Sequence, residues 1–493
     1  MSILNNKILS TDSYKLSHFQ QYPVGTTEVF SYVEARGTKV PGVEEVVFFG
    51  TQSYIKDRLL SPISMEEVNE AAAFAEAHGE PFNREGWEYI VRVHKGFLPI
   101  EIRSVPEGTV VPIHNLLASV RNLDEKCAWL TSYIETDYLR ACWYGTTVAT
   151  ISRTCKQAIY NALQISSDDP DAEINFKLHD FGFRGVSSFE SAAIGGAAHL
   201  VNFMGTDTIA GIAHAMKYYD SGMIGFSIPA AEHSTMTLRG RDGEKESYQA
   251  MIDAYAGPDK IFAVVSDSYD IFNAVENIWV KGGLLEQVKD KGATVVIRPD
   301  SGDPLTVPID IIKLLWDLLP EKLYNTKGYR ILPPYVRVIQ GDGITIESLP
   351  QILSNLLGKG YSASNIAFGM GGGLLQQVNR DTFKFAMKAS HAYINGKGVD
   401  VYKEPVGQPD KKSKKGLLDL YKIYNPVGGY PVYRTFASDE VVRDSVSGSE
   451  CFHPVGDDTV SYHPVTEVIF SSYRGKVTTN FSTFDEIRQR AKI

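Results

Sequence analysis

The sequence predicts an α/β protein organised on a parallel sheet, and three observations carry that prediction. Between residues 260 and 375 a short apolar run ends four times in an acidic or glycine-rich cluster. Segments of helical periodicity lie between these runs; Ile346, Leu349, Ile352, Leu353, Leu356 and Leu357 share one face before Gly358. The steps from Asp267 to Asp300 (33 residues), Asp300 to Asp342 (42) and Asp342 to Gly369 (27) each suit one strand–helix unit. Apolar strands alternating with helices imply a parallel sheet covered on both faces. Such a sheet gathers its polar residues at the C-terminal ends of the strands, whether it closes into a barrel or stays open and doubly wound. The spacing alone leaves those two folds open.

Taken in order, Glu45-Val46-Val47-Phe48-Phe49 reads as a strand. Ser64-Met65-Glu66-Glu67 has capping-box spacing and opens a helix that Gly79 stops. Ser187-Ser188-Phe189-Glu190 offers a second cap, before a small-residue helix running toward His199 and ending near Gly205. The four informative strands follow. Phe262–Val265 leads to Asp267, Thr294–Ile297 to Arg298-Pro299-Asp300, Tyr335–Ile339 to Gly341-Asp342, and Ile366–Phe368 to Gly369-Met370-Gly371-Gly372-Gly373. Beyond residue 390 the pattern changes. Lys411-Lys412-Ser413-Lys414-Lys415-Gly416 is a basic loop, Gly428-Gly429 and several prolines follow, Val465–Phe470 reads as a strand, and Thr483-Phe484-Asp485-Glu486 caps a short final helix.

With 43% hydrophobic and 22% charged residues the chain has the composition of a soluble globular protein, and its 493 residues suggest roughly two to four domains or one large barrel with additions. A net charge of −10 argues against a general nucleic-acid binder, which needs a basic footprint. No apolar run approaches the roughly 18 residues of a membrane span, and the N-terminus lacks a secretory layout. Cys127, Cys142, Cys155 and Cys451 show neither zinc-ligand spacing nor the density of a disulfide scaffold, so a reducing cytoplasm is expected.

Several clusters can carry chemistry. Glycines 369–373 lie between a strand and an expected helix at Leu374–Val378, where backbone N–H groups can approach an anion closely; a tight turn without a ligand is the alternative. Arg380, two turns on, would reach back to a second phosphate oxygen. Asp267, Asp300 and Asp342 would each serve alone as a helix cap, but three carboxylates on adjacent strand ends repel unless a cation or sugar hydroxyls lie between them. Arg298 adds an anion fork beside Asp300. Phosphate, ribose and metal together point to a sugar-phosphate substrate. The stretch Lys177-Leu178-His179-Asp180-Phe181-Gly182-Phe183-Arg184-Gly185 offers an aromatic face, a guanidinium and a His–Asp neighbour pair, or else a glycine-flanked turn with buried aromatics. His233 reads either as a functional group or as a buried, hydrogen-bonded histidine, and the lysine run at 411–415 as a solvated loop unless it folds over a polyanion.

These motifs, with Thr11-Asp12-Ser13-Tyr14-Lys15, Gly205-Thr206-Asp207-Thr208 and Pro229-Ala230-Ala231-Glu232-His233-Ser234, keep their order over nearly the whole chain. In them the sequence resembles the nicotinate/nicotinamide phosphoribosyltransferase family, the type II phosphoribosyltransferases, and within it the branch that uses nicotinamide. The resemblance implies an irregular β/α barrel with a mixed α+β domain built from the N- and C-terminal segments. Expected borders are 1–145, 146–389 for the barrel, and 390–493, with a homodimer sharing its active sites. It implies transfer of phosphoribosyl from 5-phosphoribosyl-1-diphosphate to nicotinamide, giving nicotinamide mononucleotide and diphosphate in NAD salvage, with Mg2+ and with ATP as activating co-substrate through a phosphohistidine at His233.

Carried over by position, Phe181 would stack on the pyridine ring and Tyr14 of a second subunit would cover its other face. Asp207 would accept from the carboxamide. Arg184, His233 and Arg298 would contact diphosphate, while Asp300, Gly341 and Asp342 would hold ribose. Gly371, Gly372 and Arg380 would bind the 5′-phosphate, Asp267 would lie near magnesium, and Lys388, Lys403 and Lys411 would supply positive charge. His233, Asp267 and Asp300 are the expected catalytic residues. Phe183 stands where the family often has tyrosine, and Met370 is atypical inside the glycine cluster. A nicotinate-using enzyme is the nearest rival, and Asp207 argues against it by like-charge repulsion. A sugar-phosphate lyase or isomerase would need a Schiff-base lysine or acid–base pair at strand ends, and neither stands out.

Overall fold

The four strands expected between residues 260 and 375 all form, and two more join them. In the computed structural model, which describes residues 3–407, 412–424, 432–437, 442–443, 452–453 and 461–493, these six strands belong to one of two compact units. That unit comprises Ile151–Lys217, Ser221–Val378 and Lys492–Ile493. Its strands are β1 (Leu178–Asp180), β2 (Gly205–Thr206), β3 (Ile261–Val265), β4 (Thr294–Arg298), β5 (Val336–Gln340) and β6 (Ile366–Met370). All pair in parallel, in the order β2-β1-β6-β5-β4-β3. Apart from the exposed Ile261 at the start of β3, their valines and isoleucines are buried, as expected of a parallel sheet covered by helices. Helix Val307–Leu318, for example, turns fully buried Ile309, Ile312 and Leu315 inward, each contributing about 1.5–3 kcal/mol. Helix Ser348–Gly358 buries Leu349, Ile352, Leu353 and Leu356, the face its periodicity predicts.

The two edges of this sheet do not stay open. Phe226 bridges in parallel to Gly205 beside β2, and Ala230 bridges in parallel to Ala263 of β3. Phe226 N–H donates to Met204 and Thr206 N–H donates to Phe226; Ala231 N–H donates to Ala263, whose own N–H donates to Pro229. The segment between is irregular because Pro229 has no N–H to offer a ladder. It closes the ring, so the fold is a barrel with one seam rather than an open doubly wound sheet.

The other unit comprises Met1–Thr150, Tyr218–Asp220 and Asn379–Ala491. Its largest sheet is antiparallel, with seven strands in the order 397–400, 385–394, 26–35, 116–122, 100–104, 467–473 and 476–479. Strand Thr26–Ala35 pairs with Phe385–Ile394, and Ile100–Ser104 with Glu467–Tyr473, so neither chain terminus can build this sheet alone. Strand Phe385–Ile394 runs across residue 390 and lies entirely in this unit. The capping boxes at Ser64 and Thr483 both form, opening helices Met65–His78 and Phe484–Arg490, and Gly79 ends the first at φ 88°. Glu107 is fully enclosed here. One of its oxygens accepts from Gln52 N–H at 2.6 Å, the other has no hydrogen-bond partner, and burial pushes its carboxyl up to about 7.

Some boundaries differ from expectation. The strand at 45 ends at Val47, and the one expected at Val465–Phe470 spans Glu467–Tyr473. The helix expected at Leu374–Val378 is instead the single turn Gly372–Leu375, because the N–H groups of Gln376 and Gln377 both return to Gly372 O and end it. Gly428-Gly429, Cys451 and Lys411 lie outside the described residues. Among the described residues no helix is long and apolar enough to cross a membrane.

Candidate active site

The barrel unit gathers its predicted residues along one rim, at the C-terminal ends of its strands. Following the strand order around the ring, Asp207 comes just after β2 and Phe181 and Arg184 after β1. Gly371 and Gly372 follow β6, Gly341 and Asp342 follow β5, Arg298 and Asp300 end β4, and Asp267 follows β3. His233, the first residue of helix His233–Thr237, comes from the end of the closing segment. The three strand-end aspartates therefore stand on three neighbouring strands, as the spacing predicts.

Phe181 is fixed by its backbone N–H, which donates to Met370 O at 3.0 Å. Its ring lies over Gly369 and Gly341: a Cβ on Gly341 would come 3.3 Å from ring atom Cε2, and one on Gly369 would collide with the ring. Gly369 keeps an ordinary negative φ, so here glycine supplies room rather than an unusual backbone conformation. The turn at 182–185 abuts the glycine cluster, since a Cβ on Gly185 would lie 3.6 Å from the N–H nitrogen of Gly372. Arg184 is exposed.

His233 is not buried: 45% of its side chain is exposed. Its Nε2 stands 2.9 Å from Asp267 Oδ1 and its Nδ1 4.0 Å from Asp300 Oδ2, while Arg298 Nε is 3.6 Å from Asp300 Oδ1. The carboxylates are thus separated by an imidazole and a guanidinium. Burial would raise the Asp267 carboxyl, but a hydrogen bond from Ser301 and then the His233 contact outweigh it and hold the group below its ordinary value. Hard oxygen donors beside a histidine suit a divalent cation. Among the described residues three converging ligand groups occur only at His94, Asp124 and Cys127, in the other unit.

Below the rim the barrel encloses a cavity of about 680 Å³. Phe181, Asp207, Ser227 and Arg298 line its upper part, small Ala263 and Ala367 with Val296 and Ile339 its middle, and Lys177 and Arg337 its lower end. Barrel interiors are ordinarily filled by bulky layers; alanines at 263 and 367 leave this one hollow. Asp207 N–H donates to Asp180 O at 2.9 Å, and the Asp207 side chain accepts from Ser227 Oγ. The Asp207 carboxylate thus lines the cavity. Beneath it, burial pushes Asp180 up to about 6, and burial lowers His179 against the charge of Asp207.

Among the described residues four predicted ones, Tyr14, Arg380, Lys388 and Lys403, belong to the other unit. Tyr14, 55% exposed, sits edge-on to His18 at 4.8 Å. Its neighbour Lys15 binds Glu135 at 2.7 Å, and Lys388 approaches the same carboxylate at 4.0 Å. Burial lowers Lys388, Glu135 opposes that, and Arg36, Lys403 and Lys15 push the same way as burial, so these four cations form one positive cluster. Arg380 pairs with Asp381 at 3.1 Å and lies in this unit, not in the barrel unit that holds the glycine cluster. The described part of the lysine run is paired with acids: Lys412 with Glu404, Lys414 with Glu34 and Lys415 with Asp400. Sequence reasoning did not single out Ser227, Ser301 or the spatial role of Gly369.

Residues 176–445 match the model of the nicotinate phosphoribosyltransferase family, and residues 6–102 match that of the nicotinamide phosphoribosyltransferase N-terminal domain. The chain is 51% identical to the nicotinamide phosphoribosyltransferase of Xanthomonas campestris, covering 86% of this chain and 89% of that one. It is 32% identical to the nicotinamide phosphoribosyltransferase of Acinetobacter baylyi, over 88% and 91%. In fold it is similar to the nicotinate-nucleotide pyrophosphorylase of Pyrococcus furiosus (TM-score 0.60, 15% identity, 100% and 95% coverage) and to human nicotinic acid phosphoribosyltransferase (0.56, 14%, 98% and 92%). With a family match over more than half its length and relatives this similar along nearly all of it, the chain belongs to the nicotinate phosphoribosyltransferase family.

Proposed function

We propose that this chain transfers phosphoribosyl from 5-phosphoribosyl-1-diphosphate to nicotinamide, giving nicotinamide mononucleotide and diphosphate. The observation that carries the choice of amide over acid is Asp207, whose carboxylate turns into the cavity beside the Phe181 ring. A carboxylate there accepts from a carboxamide N–H and repels nicotinate. The two relatives named above, both nicotinamide phosphoribosyltransferases, support the same reading.

The transfer passes through an oxocarbenium-like state, so the residues act by positioning and by placing charge. Phe181 holds the pyridine flat against the strand ends, and its π face suits a ring that becomes cationic in the product. Arg298 and Arg184 meet the leaving diphosphate; Asp300 and Asp342 bind ribose hydroxyls and favour positive charge at the anomeric carbon. Asp267 fixes the His233 ring through Nε2 and leaves Nδ1 toward Asp300. Gly371 and Gly372 offer close backbone approach to the 5′-phosphate. A pyridine nitrogen attacks as a neutral nucleophile and needs no general base. Magnesium, when bound, neutralises charge on the diphosphate; it would be held mainly by the substrate, with Asp267 and Asp300 supplying hard oxygens.

The reading includes ATP-driven phosphorylation of His233, whose half-exposed ring is accessible to a phosphoryl donor. It includes a homodimer in which Tyr14 and the cluster around Lys388 and Lys403 serve the neighbouring subunit's site, and a cytoplasmic setting. Direct measurement of nicotinamide mononucleotide formation, with nicotinate as competitor, tests the core of it. Asp207→Asn should lower the nicotinamide-to-nicotinate ratio of kcat/KM by at least about tenfold, roughly 1.4 kcal/mol. An unchanged ratio would place specificity elsewhere.

A further inference from the structure

We propose that Ser227 is a second specificity-determining group, one that makes the amide pocket accept at two positions. The inference rests on the nicotinamide reading above and extends it to a residue on the barrel's closing segment. Ser227 Oγ donates to Asp207 Oδ1; its other acceptor, Ile228 O, lies at 3.5 Å, the outer limit of a hydrogen bond, and Ser227 and Asp207 both line the cavity next to Phe181. Among the described residues no other side chain donates to the Asp207 carboxylate. A serine hydroxyl has one proton and two lone pairs. With that proton on an ionised carboxylate, its oxygen is left as an acceptor only.

The backbone keeps it so. Phe226 is bridged to Gly205 on one side of Ser227 and Ala230 to Ala263 on the other, while Pro229 restricts the chain between. Asp207 is anchored by its own N–H to Asp180 O, and the next residue, Thr208, by its N–H to Thr206 Oγ1. Two acceptors held side by side, Asp207 Oδ2 and Ser227 Oγ, match the two N–H bonds of a carboxamide NH2. A nicotinate carboxylate has no proton to offer either, and Ser227 could donate to it only by leaving Asp207. The serine therefore adds a hydrogen-bond mismatch to the charge repulsion of the aspartate.

The experiment compares wild type, Ser227→Ala, Ser227→Thr, Asp207→Asn and the Ser227→Ala/Asp207→Asn double variant in steady-state kinetics with nicotinamide, nicotinate and 5-phosphoribosyl-1-diphosphate. Loss of a neutral N–H···Oγ hydrogen bond predicts a fall of roughly two- to tenfold in kcat/KM for nicotinamide in Ser227→Ala. It should appear mainly in KM, with nicotinate turnover not reduced and the KM for the sugar diphosphate unchanged. Ser227→Thr, which keeps the hydroxyl, should retain most of the preference. In the Asp207→Asn background the alanine change should have little further effect on the preference, because the serine proton is no longer committed to a carboxylate. If wild type fails to convert nicotinamide, the functional reading itself falls. If wild type converts it but Ser227→Ala keeps the wild-type preference, or loses both bases and the sugar diphosphate equally, the proposal for Ser227 is overturned and that reading stands.

Discussion

Gly369 gives the sharpest test of how the ring platform is built. In Gly369→Ala the new methyl carbon would lie 2.8 Å from Phe181 Cζ and closer still to Cδ2 and Cε2. Carbon atoms rest at about 3.5–4.0 Å, so the ring has to retreat by about 1 Å or more. Overpacking of this kind costs about 1–3 kcal/mol. A displaced ring also stacks poorly, and aromatic stacking is worth about 0.5–1.5 kcal/mol, which corresponds to a roughly two- to tenfold rise in the KM for nicotinamide. Denaturant unfolding and steady-state kinetics measure the two effects separately. Because the collision is with one side chain, the stability cost should largely vanish in a Gly369→Ala/Phe181→Ala double variant. Gly372→Ala is the control: a Cβ there meets nothing within 4 Å, so stability should hold within about 0.5 kcal/mol. The reasoning is refuted if Gly369→Ala keeps wild-type stability and wild-type KM, or costs as much with Phe181 removed as with it present.

Three further outcomes are expected. His233→Ala should abolish ATP-stimulated turnover and acid-labile phosphate labelling from ATP; retention of either removes His233 from that role. Inactive Tyr14→Ala and Arg298→Ala chains, mixed equally and allowed to exchange, should recover about a quarter of wild-type activity if a two-fold dimer shares its sites, and none if each subunit is self-contained. For Glu107, whose folded value of about 7 lies above its ordinary 4.5, the protonated form is favoured by folding; the stability it contributes is complete below about 4.5 and is lost as pH rises through about 7, by up to about 3 kcal/mol. Glu107→Gln should remove that slope in unfolding measurements at pH 5 and pH 8, and an unchanged slope would show that Glu107 does not carry it.

The parallel sheet was readable from sequence where strands are short, apolar and followed by a polar cluster, because period and burial there say the same thing. Asp267, Asp300 and Asp342 fall on neighbouring strands for that reason. Closure was not readable. The segment from Phe226 to Ala231 contains a serine and a proline, makes a single bridge on each side, and has no alternation to betray a strand. Ser227 stayed hidden with it, since a lone serine carries no signal until its partner is known; its place within the stretch that leads to His233 was the available clue. Gly369 was legible as part of a glycine cluster, but the reason for it, the Phe181 ring lying across the strand, exists only in three dimensions. Arg380 was legible only as a neighbour in sequence of the glycine cluster; the chain crosses into the other unit at Asn379, so sequence distance carries no statement about distance in space there.

A cylinder with one seam has a fixed place of rupture. β3 and β4 are joined over five residue pairs and β1 and β2 over two, whereas the closing segment is tied to each neighbour by a single bridge and a pair of backbone hydrogen bonds. Thermal breathing of the ring will concentrate there, where the fewest bonds break together. That same strip holds Ser227 against Asp207 and delivers His233 to Asp267. Inactivation on heating or in mild denaturant should therefore run ahead of global unfolding: the amides of residues 225–231, Pro229 apart, exchange early and turnover fails while the five interfaces between the six strands are still intact.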